Sequence, residues 1–398
     1  MRREKTQKTI MILGASILQL PAIEKALAMG LRVIALDMNP DAVGFTVPGV
    51  IKEVISTIDI KAAVEAAKKH HIDGVMTLAT DMPMRTVAAV ACACGLVGIS
   101  EDTAVKATDK GVMRETLYNA GVPVPRFVRV NNIDQYREAV DLFSGPFVVK
   151  PSDSSGSRGI ILVSKKEETE NAYHYSREFS HNGVVLVEEY MQGPEVSVET
   201  LAVDGEVHVI QITDKITTGA PHFVEMGHTQ PTQLYCAKDI ERVAVIANKA
   251  IGIHNGPSHT EIIVTHEGPK IVELGARLGG DCISTHLVPL STGVNMVEAC
   301  IQIALGEKPD IVPKLQCGSA IRYFHQSPGV IKNIQGIDEA RLMDGIKQIS
   351  VVHGIGETVT DIRDSGSRMG FVIAQGKNAN DAAQKCENAL SGIKIEET

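Results

Sequence analysis

Short apolar runs alternate with stretches of helical period through the first hundred residues. Residues 9–13 (TIMIL) read as a strand, Gly14-Ala15-Ser16 as the turn into a helix over 18–29 closed by Gly30, and 31–36 as a second strand ending on Asp37. Val54 falls in a third strand, 60–70 reads as a helix and 74–78 as a fourth strand. Strands and helices alternating at these lengths predict a parallel sheet. Near Ser100 the pattern changes. Residues 107–120, with Asp109 and Lys110 at the start, predict one amphipathic helix that stops at Gly121, before the stiff connector Val122-Pro123-Val124-Pro125. Strands follow over 146–151, 160–163, 184–189 and 195–202. A helix over 293–305 ends at Gly306. From about residue 315 there are strands near 320–325, 349–352 and 369–374, with a helix over 380–391. The pattern divides the chain into 1–105, 106–312 and 313–398, an α/β protein with an α+β central part.

The period of two is used most pointedly between His259 and Asp281. Residues 260–265 and 269–274 read as two strands joined by a tight turn over His266, Glu267 and Gly268. With those three residues as the loop, Thr265 faces Pro269 and Glu261 faces Glu273. Two carboxylates directly opposite each other destabilise a sheet unless something neutralises them. A hard divalent cation such as Mg2+ does so with oxygen ligands and leaves positions for water and phosphate; a solvated edge hairpin with two outward acids is the plain alternative. Arg277 stands in the Gly-rich exit GARLGG, suited to an anion beside the metal.

Composition narrows the class. The chain has 398 residues, 44% hydrophobic and 22% charged, which is an ordinary globular balance with room for two or three domains. No run approaches the ~18 apolar residues of a membrane span, and the charged N-terminus passes straight into a strand, so no signal peptide is expected. Seven scattered cysteines without a C-x-x-C pair argue against a disulfide framework or zinc site and for the reducing cytoplasm. A net charge of -9 gives no long-range attraction to nucleic acid or to an anionic membrane.

Between the strands at 146–151 and 160–163 lies a small-residue loop, Ser152-Asp153-Ser154-Ser155-Gly156-Ser157-Arg158-Gly159, directly after Lys150. Its amides can approach a polyphosphate without Cβ clashes while Lys150 supplies a point charge, although an ordinary mobile hairpin has the same composition. Glu188, Glu189 and Tyr190 close a later strand, where the acids could take ribose hydroxyls and an adenine amine or stay solvated. In the first unit only Gly14 stands where the fingerprint G-x-G-x-x-G asks for three glycines, which argues against NAD. That turn, or Thr80-Asp81, still suits a small anionic substrate. His222 and His259 read as structural, and Asp214-Lys215 as either near the substrate or a surface ion pair.

In order and spacing, Lys110, Lys150-Pro151, the loop at 154–159, Glu188-Glu189-Tyr190, Glu195, and the pair Glu261 and Glu273 with Arg277 resemble the ATP-grasp superfamily. The wording FVEMGH at 223–228 with Pro231, GPSHTE at 256–261 and ELGARLGGD at 273–281 is most similar to the bacterial L-amino acid (dipeptide) ligases and to proteins resembling the carbamoyl phosphate synthase large chain. The resemblance implies an ATP-grasp fold with a Rossmann-like N-terminal domain and a small C-terminal α/β unit. It implies an ADP-forming carboxylate–amine ligase acting through an acyl phosphate, with ATP and Mg2+ or Mn2+ as cofactors and a homodimer formed through the first domain. Lys110 and Lys150 would contact phosphates, and Ser154, Ser155, Gly156, Ser157 and Gly159 would cover them. Adenine would meet the backbone of Glu189, Tyr190 and Met191 near Glu188, with Glu195 on the ribose. Glu261 and Glu273 would hold metal, and Arg277 with the Gly280 amide would stabilise the transferred phosphoryl group. Glu225 and His228 would line the substrate pocket, where His228 is either a general base or a wall residue. Many ATP-grasp enzymes carry Asn two residues after the second metal acid. Gly275 stands there in this chain, as in the dipeptide-ligase group. The same-fold alternative is bicarbonate or formate chemistry, and the alternative from another class is a nucleotide-binding module without catalysis.

Overall fold

A computed structural model describes residues 7–154 and 158–398. The N-terminal strands β1 (Thr9–Leu13), β2 (Arg32–Asp37), β3 (Val50–Val54) and β4 (Gly74–Met76) form a parallel sheet in the order β3-β2-β1-β4. Both faces of β1 are buried, as a parallel strand flanked by helices requires. A second, antiparallel sheet is built from β5 (Phe127–Val130), β6 (Phe147–Pro151), β7 (Ile161–Val163) and β8 (Val185–Glu189), in the order β5-β8-β6-β7. It has its own small core around Tyr136, Val149 and Val187.

The largest sheet begins with β9 (Glu195–Val203), β10 (Glu206–Thr217), β11 (Glu225–Gln230), β12 (Gly256–Thr265) and β13 (Gly268–Gly275). The C-terminal strands are β14 (Gly318–Tyr323), β15 (Gly329–Gln335), β16 (Ile346–Val351), β17 (Thr358–Val359), β18 (Gly370–Gly376) and β19 (Lys394–Glu397). Eight of these strands run in the order β13-β12-β9-β10-β11-β14-β18-β16, so the C-terminal segment extends the central sheet through β14, β18 and β16, while β17, β15 and β19 form a separate three-stranded sheet in that order. It also keeps a core of its own, with Phe324, Ile331 and Met369. The N-terminal unit shares two cores with the central sheet: Met11 and Leu13 pack in one with Val196 and Leu274, and Ile10 and Ile12 in the other with Leu201 and Ile321.

Three expectations change. The helix expected over 107–120 is two helices, Glu101–Thr108 and Lys110–Asn119. Asp109 breaks them because its backbone is extended and its carboxylate accepts from the amides of Gly111 (2.9 Å) and Val112 (3.1 Å). The helix expected over 293–305 starts later, at Met296, with Asn295 as its cap, and a π-turn (Ile283–Leu287) and a short helix (Val288–Thr292) precede it. The hairpin turn is shorter than expected: only His266 and Glu267 lie between the strands, and Thr265 pairs with Gly268. A bulge leaves Val272 without a partner and moves the register by one residue, so Glu261 still stands opposite Glu273. No single helix among the described residues is long and apolar enough to cross a membrane.

Candidate active site

The central sheet aligns charge across its strands. Glu261 stands opposite Glu273 on one side and Ser197 on the other, and Lys215 stands opposite His228. The two facing carboxylates are neutralised by lysines from elsewhere: Lys110 Nζ donates to Glu273 Oε1 (2.9 Å), and Lys215 Nζ lies 3.3 Å from Glu261 Oε1. Each acid keeps about a quarter of its side chain exposed, 23% for Glu261 and 25% for Glu273. Those surfaces open into one cleft of about 510 Å³, whose walls come from the loop after β4 (Thr80, Asp81), from Lys150, and from the sheet.

Of the two readings of Asp214-Lys215, beside the substrate or a surface ion pair, the surface pair is excluded by the position of Lys215. Its side chain is 3% exposed and surrounded by Glu195 (2.6 Å), Glu261 (3.3 Å) and Glu225 (3.6 Å), while Asp214 turns the other way to Thr232 and Gln233. Burial disfavours the ammonium, but three carboxylates outweigh it and hold the pKa well above its ordinary value. The carboxyl of Glu261 is affected in the reverse sense: burial raises it, but Lys215 and His259 hold it well below the usual range. Glu195 moves upward because burial, together with Glu261 and Glu225, outweighs Lys215.

His259 belongs to this group as well. Its Nδ1 bonds the fully buried Glu199, which also accepts from Ser284 Oγ (2.9 Å) and the Gly279 amide (3.2 Å), while Nε2 lies 3.4 Å from Glu261. Burial alone would lower the imidazole, but Glu199 raises it to about 9. A Cβ on Gly279 would sit 2.7 Å from both Glu199 Oε1 and His259 Nδ1, so Gly279 is glycine for lack of room.

Lys150 is buried at the end of β6 and pairs with Glu188 (2.7 Å). Glu188, expected near the adenine, has both oxygens occupied: Arg114 Nε donates to Oε1 (2.7 Å) and Nη2 to Oε2 (3.1 Å). It therefore anchors two cations and presents nothing to a nucleotide. Burial raises its pKa, but Arg114 and Lys150 outweigh that and hold it at about 2. Burial pushes Lys150 down. Glu189 accepts from Lys270 (2.7 Å), Tyr190 packs 6.2 Å from the Phe223 ring, and Met191 is half-buried beside them. Ser154 gives its carbonyl to Lys110 (2.8 Å), and Gly159 closes the loop at φ +76°. Ser155, Gly156 and Ser157 lie outside the described residues. A smaller cavity of about 240 Å³ adjoins the cleft at Lys110 and Glu273 and is lined by Asp109, Asp153 and Asn182.

Arg277 makes a two-pronged bond with Asp81, Nε to Oδ1 (3.1 Å) and Nη2 to Oδ2 (3.0 Å), which ties the N-terminal unit to the Gly-rich exit. Asp81 is thereby a counter-ion and not an anion site. A Cβ on Gly275 would stand 2.7 Å from Asp81 Oδ1 and 3.2 Å from Arg277 Nε, so this ion pair fills the space a side chain at 275 would need. The Gly280 backbone is open, with Ala79 Cβ nearest at 3.9 Å. His228 is buried, with Nε2 3.3 Å from Asp281 Oδ2 and Nδ1 without a partner. Asp281 in turn is gripped by Arg368. Arg322 binds Glu387 and the His228 carbonyl. Glu199, Arg114, Asp281 and Arg368 escaped the sequence reading. A charged residue in the buried middle of a largely apolar strand was the available signal for Glu199 alone.

Residues 143–285 match the ATP-grasp domain family, and residues 322–398 match L-amino acid ligase C-terminal domain 2. The chain is 25% identical over 283 residues to an L-arginine-specific L-amino acid ligase of Bacillus subtilis, spanning 68% of this chain and 67% of that protein. Its fold is similar to the crystal structure of an L-amino acid ligase from Bacillus licheniformis, with a TM-score of 0.85 at 24% identity over 99% of this chain and 100% of that one. It is also similar to a phosphoribosylglycinamide synthetase from Anaerococcus prevotii, with a TM-score of 0.79 at 21% identity over 98% of this chain and 100% of that one.

Proposed function

We propose that the chain is an ATP-grasp carboxylate–amine ligase that activates an amino acid carboxylate with ATP and joins it to an amine, releasing ADP and phosphate in the cytoplasm. The observation that carries this reading is the facing pair Glu261 and Glu273, with Lys110, Lys215 and Arg277 around it, in one 510 Å³ cleft. A carboxylate oxygen of the substrate attacks the γ-phosphorus of ATP and ADP leaves. The amine nitrogen then attacks the acyl carbon, phosphate leaves, and the nitrogen loses a proton. Such chemistry asks a protein for position and charge rather than for a nucleophile.

Lys110 and Lys150 are the cations for the phosphates, and the backbone at Glu189 to Met191 is the place for adenine, with Glu195 for ribose. Arg277, aimed by Asp81, and the open Gly280 amide face the transferred group. The donor set fits a hard cation: two carboxylates share the cleft wall, and such an ion takes its remaining positions from phosphate oxygens and water. Held by Glu261 and Glu273, Mg2+ would supply charge neutralisation at the phosphates. Glu225 and His228 form the amino acid wall. With Nε2 on Asp281 and Nδ1 buried, neither nitrogen of His228 offers a free lone pair to the cleft, which favours a wall role over a general base.

The test is phosphate release from ATP and Mg2+ across single amino acids, amino acid pairs, bicarbonate and formate, with the nucleotide product identified. ADP formed only with a particular acid and amine is the expected result. Glu273→Gln is expected to remove turnover with the circular dichroism spectrum unchanged, and wild-type turnover in that variant would overturn the metal assignment.

A further inference from the structure

The C-terminal unit reaches the cleft through one turn. Asp364 accepts from the amides of Gly366 (2.9 Å) and Ser367 (3.0 Å), and the turn it caps delivers Ser365, Gly366 and Arg368 to the cleft wall. Arg368 is 8% exposed. Its Nε donates to the Ser365 carbonyl (3.0 Å), Nη1 to the Glu225 carbonyl (2.9 Å) and Asp281 Oδ2 (2.8 Å), and Nη2 to Asp281 Oδ1 (2.7 Å). The guanidinium carbon lies 3.7 Å from the centre of the Tyr323 ring. With these bonds made, no fork is left for a substrate carboxylate.

What Arg368 holds does face the cleft. Asp281 and Cys282 are consecutive non-glycine residues in the left-handed region, φ +49° and +60°, a conformation that persists only when its surroundings enforce it. The same Asp281 Oδ2 that takes Nη1 also meets His228 Nε2 at 3.3 Å. On the other side, Ser365 Oγ lies 3.4 Å from Glu225 Oε2. One guanidinium thus fixes the backbone of Glu225, the carboxylate of Asp281 and, through that carboxylate, the ring of His228.

We propose that Arg368 is a positioning residue: through Asp281 it sets the His228 and Glu225 wall that receives the amino acid, so the C-terminal unit governs amino acid recognition and leaves the phosphate side of the cleft alone. The proposal rests on the reading of that wall as the amino acid subsite. A tie-bar that merely fastens the C-terminal unit to the sheet is the competing role, and it makes different predictions.

Arg368→Gln is expected to raise KM for the amino acid by about 10- to 100-fold, the effect of losing a charge-assisted two-pronged bond. KM for ATP should stay within about twofold, because Lys110, Lys150 and Arg277 are untouched. Arg368→Lys should recover only part of the loss, since an ammonium cannot reproduce the fork. The double variant Arg368→Gln with Asp281→Asn should be no worse than the worse single one, as residues acting in series are not additive. Independently of turnover, protein labelled with 15N-histidine and assigned through His228→Gln should show the His228 ring signals displaced in Arg368→Gln without any substrate. An unchanged amino acid KM, equal rises in both KM values with a lowered Tm, or unmoved His228 signals would each overturn the proposal. If wild-type protein releases no phosphate with any amino acid, the ligase reading fails by itself. The ring signals then decide alone: displacement supports the clamp and constancy removes it.

Discussion

Each charged side chain described in the cleft wall faces one of opposite sign, and this shapes what single substitutions do. Glu188 is the clearest case. Burial alone would raise its carboxyl, but Arg114 and Lys150 hold it at about 2 against the ordinary 4.5. A depressed carboxyl contributes stability that is complete above pH 4.5 and is lost as pH falls through about 2, an effect of about 3 kcal/mol. Urea unfolding of Glu188→Gln across pH 2 to 7 should therefore show a flatter acid limb than wild type. At pH 7 the variant should be about 3–5 kcal/mol less stable, because Arg114 and Lys150 are left buried and unpaired; equal acid limbs would remove the argument. Gly275 poses the second test. Gly275→Asn restores the residue that many ATP-grasp enzymes carry, yet its Cβ would fall 2.7 Å from Asp81 Oδ1. The expected outcome is at least a ~10-fold loss in kcat/KM with a near-native melting curve, since Arg277 loses the partner that aims it. A rate equal to wild type would show that the pair yields without consequence.

At the scale of elements, the caps and the bulge place the chemistry. Asp109 ends one helix and caps the next, which makes Lys110 the first residue of that helix and fixes the direction from which its ammonium reaches Glu273. Asp109→Ala should lower stability by about 1 kcal/mol, the usual value of an N-cap. It should also raise KM for ATP more than KM for the amino acid, and equal changes in the two constants would argue against a positioning role for the cap. The hairpin shows how a local error can leave a site intact. A three-residue loop without a bulge and a two-residue turn with one both set Glu261 against Glu273. Alternation near the acids was readable; the bulge at Val272 was not, because nothing in a run of apolar strand residues marks which one loses its partner.

At the scale of the molecule, the sheet order decides what can be removed. β14 and β18 lie between β11 and the outer strand β16, so a chain ended after residue 312 would expose the edge of β11, which carries Glu225 and His228. Such a truncation is expected to aggregate, or to elute in the void on size exclusion. A monomeric, cooperatively melting fragment would show instead that the C-terminal strands are dispensable to the central sheet. Cys300 and Cys386 are buried packing residues.

What the sequence determined by itself is local. Strand β1 and the helix Ile60–His70 fall where the sequence places them, because the first is a continuous apolar run and the second has its own period and the Asp59 cap. The facing acids were legible for the same reason, as Glu261 and Glu273 belong to one hairpin. Tertiary structure alone decided the partners: Lys110 with Glu273 at a separation of 163 residues, Arg277 with Asp81 at 196, Arg114 with Glu188 at 74 and Arg368 with Asp281 at 87. An ion pair needs only that two side chains meet. Which ones meet is set by how three sheets pack around a single cleft, and a pattern of neighbours along the chain contains no record of that.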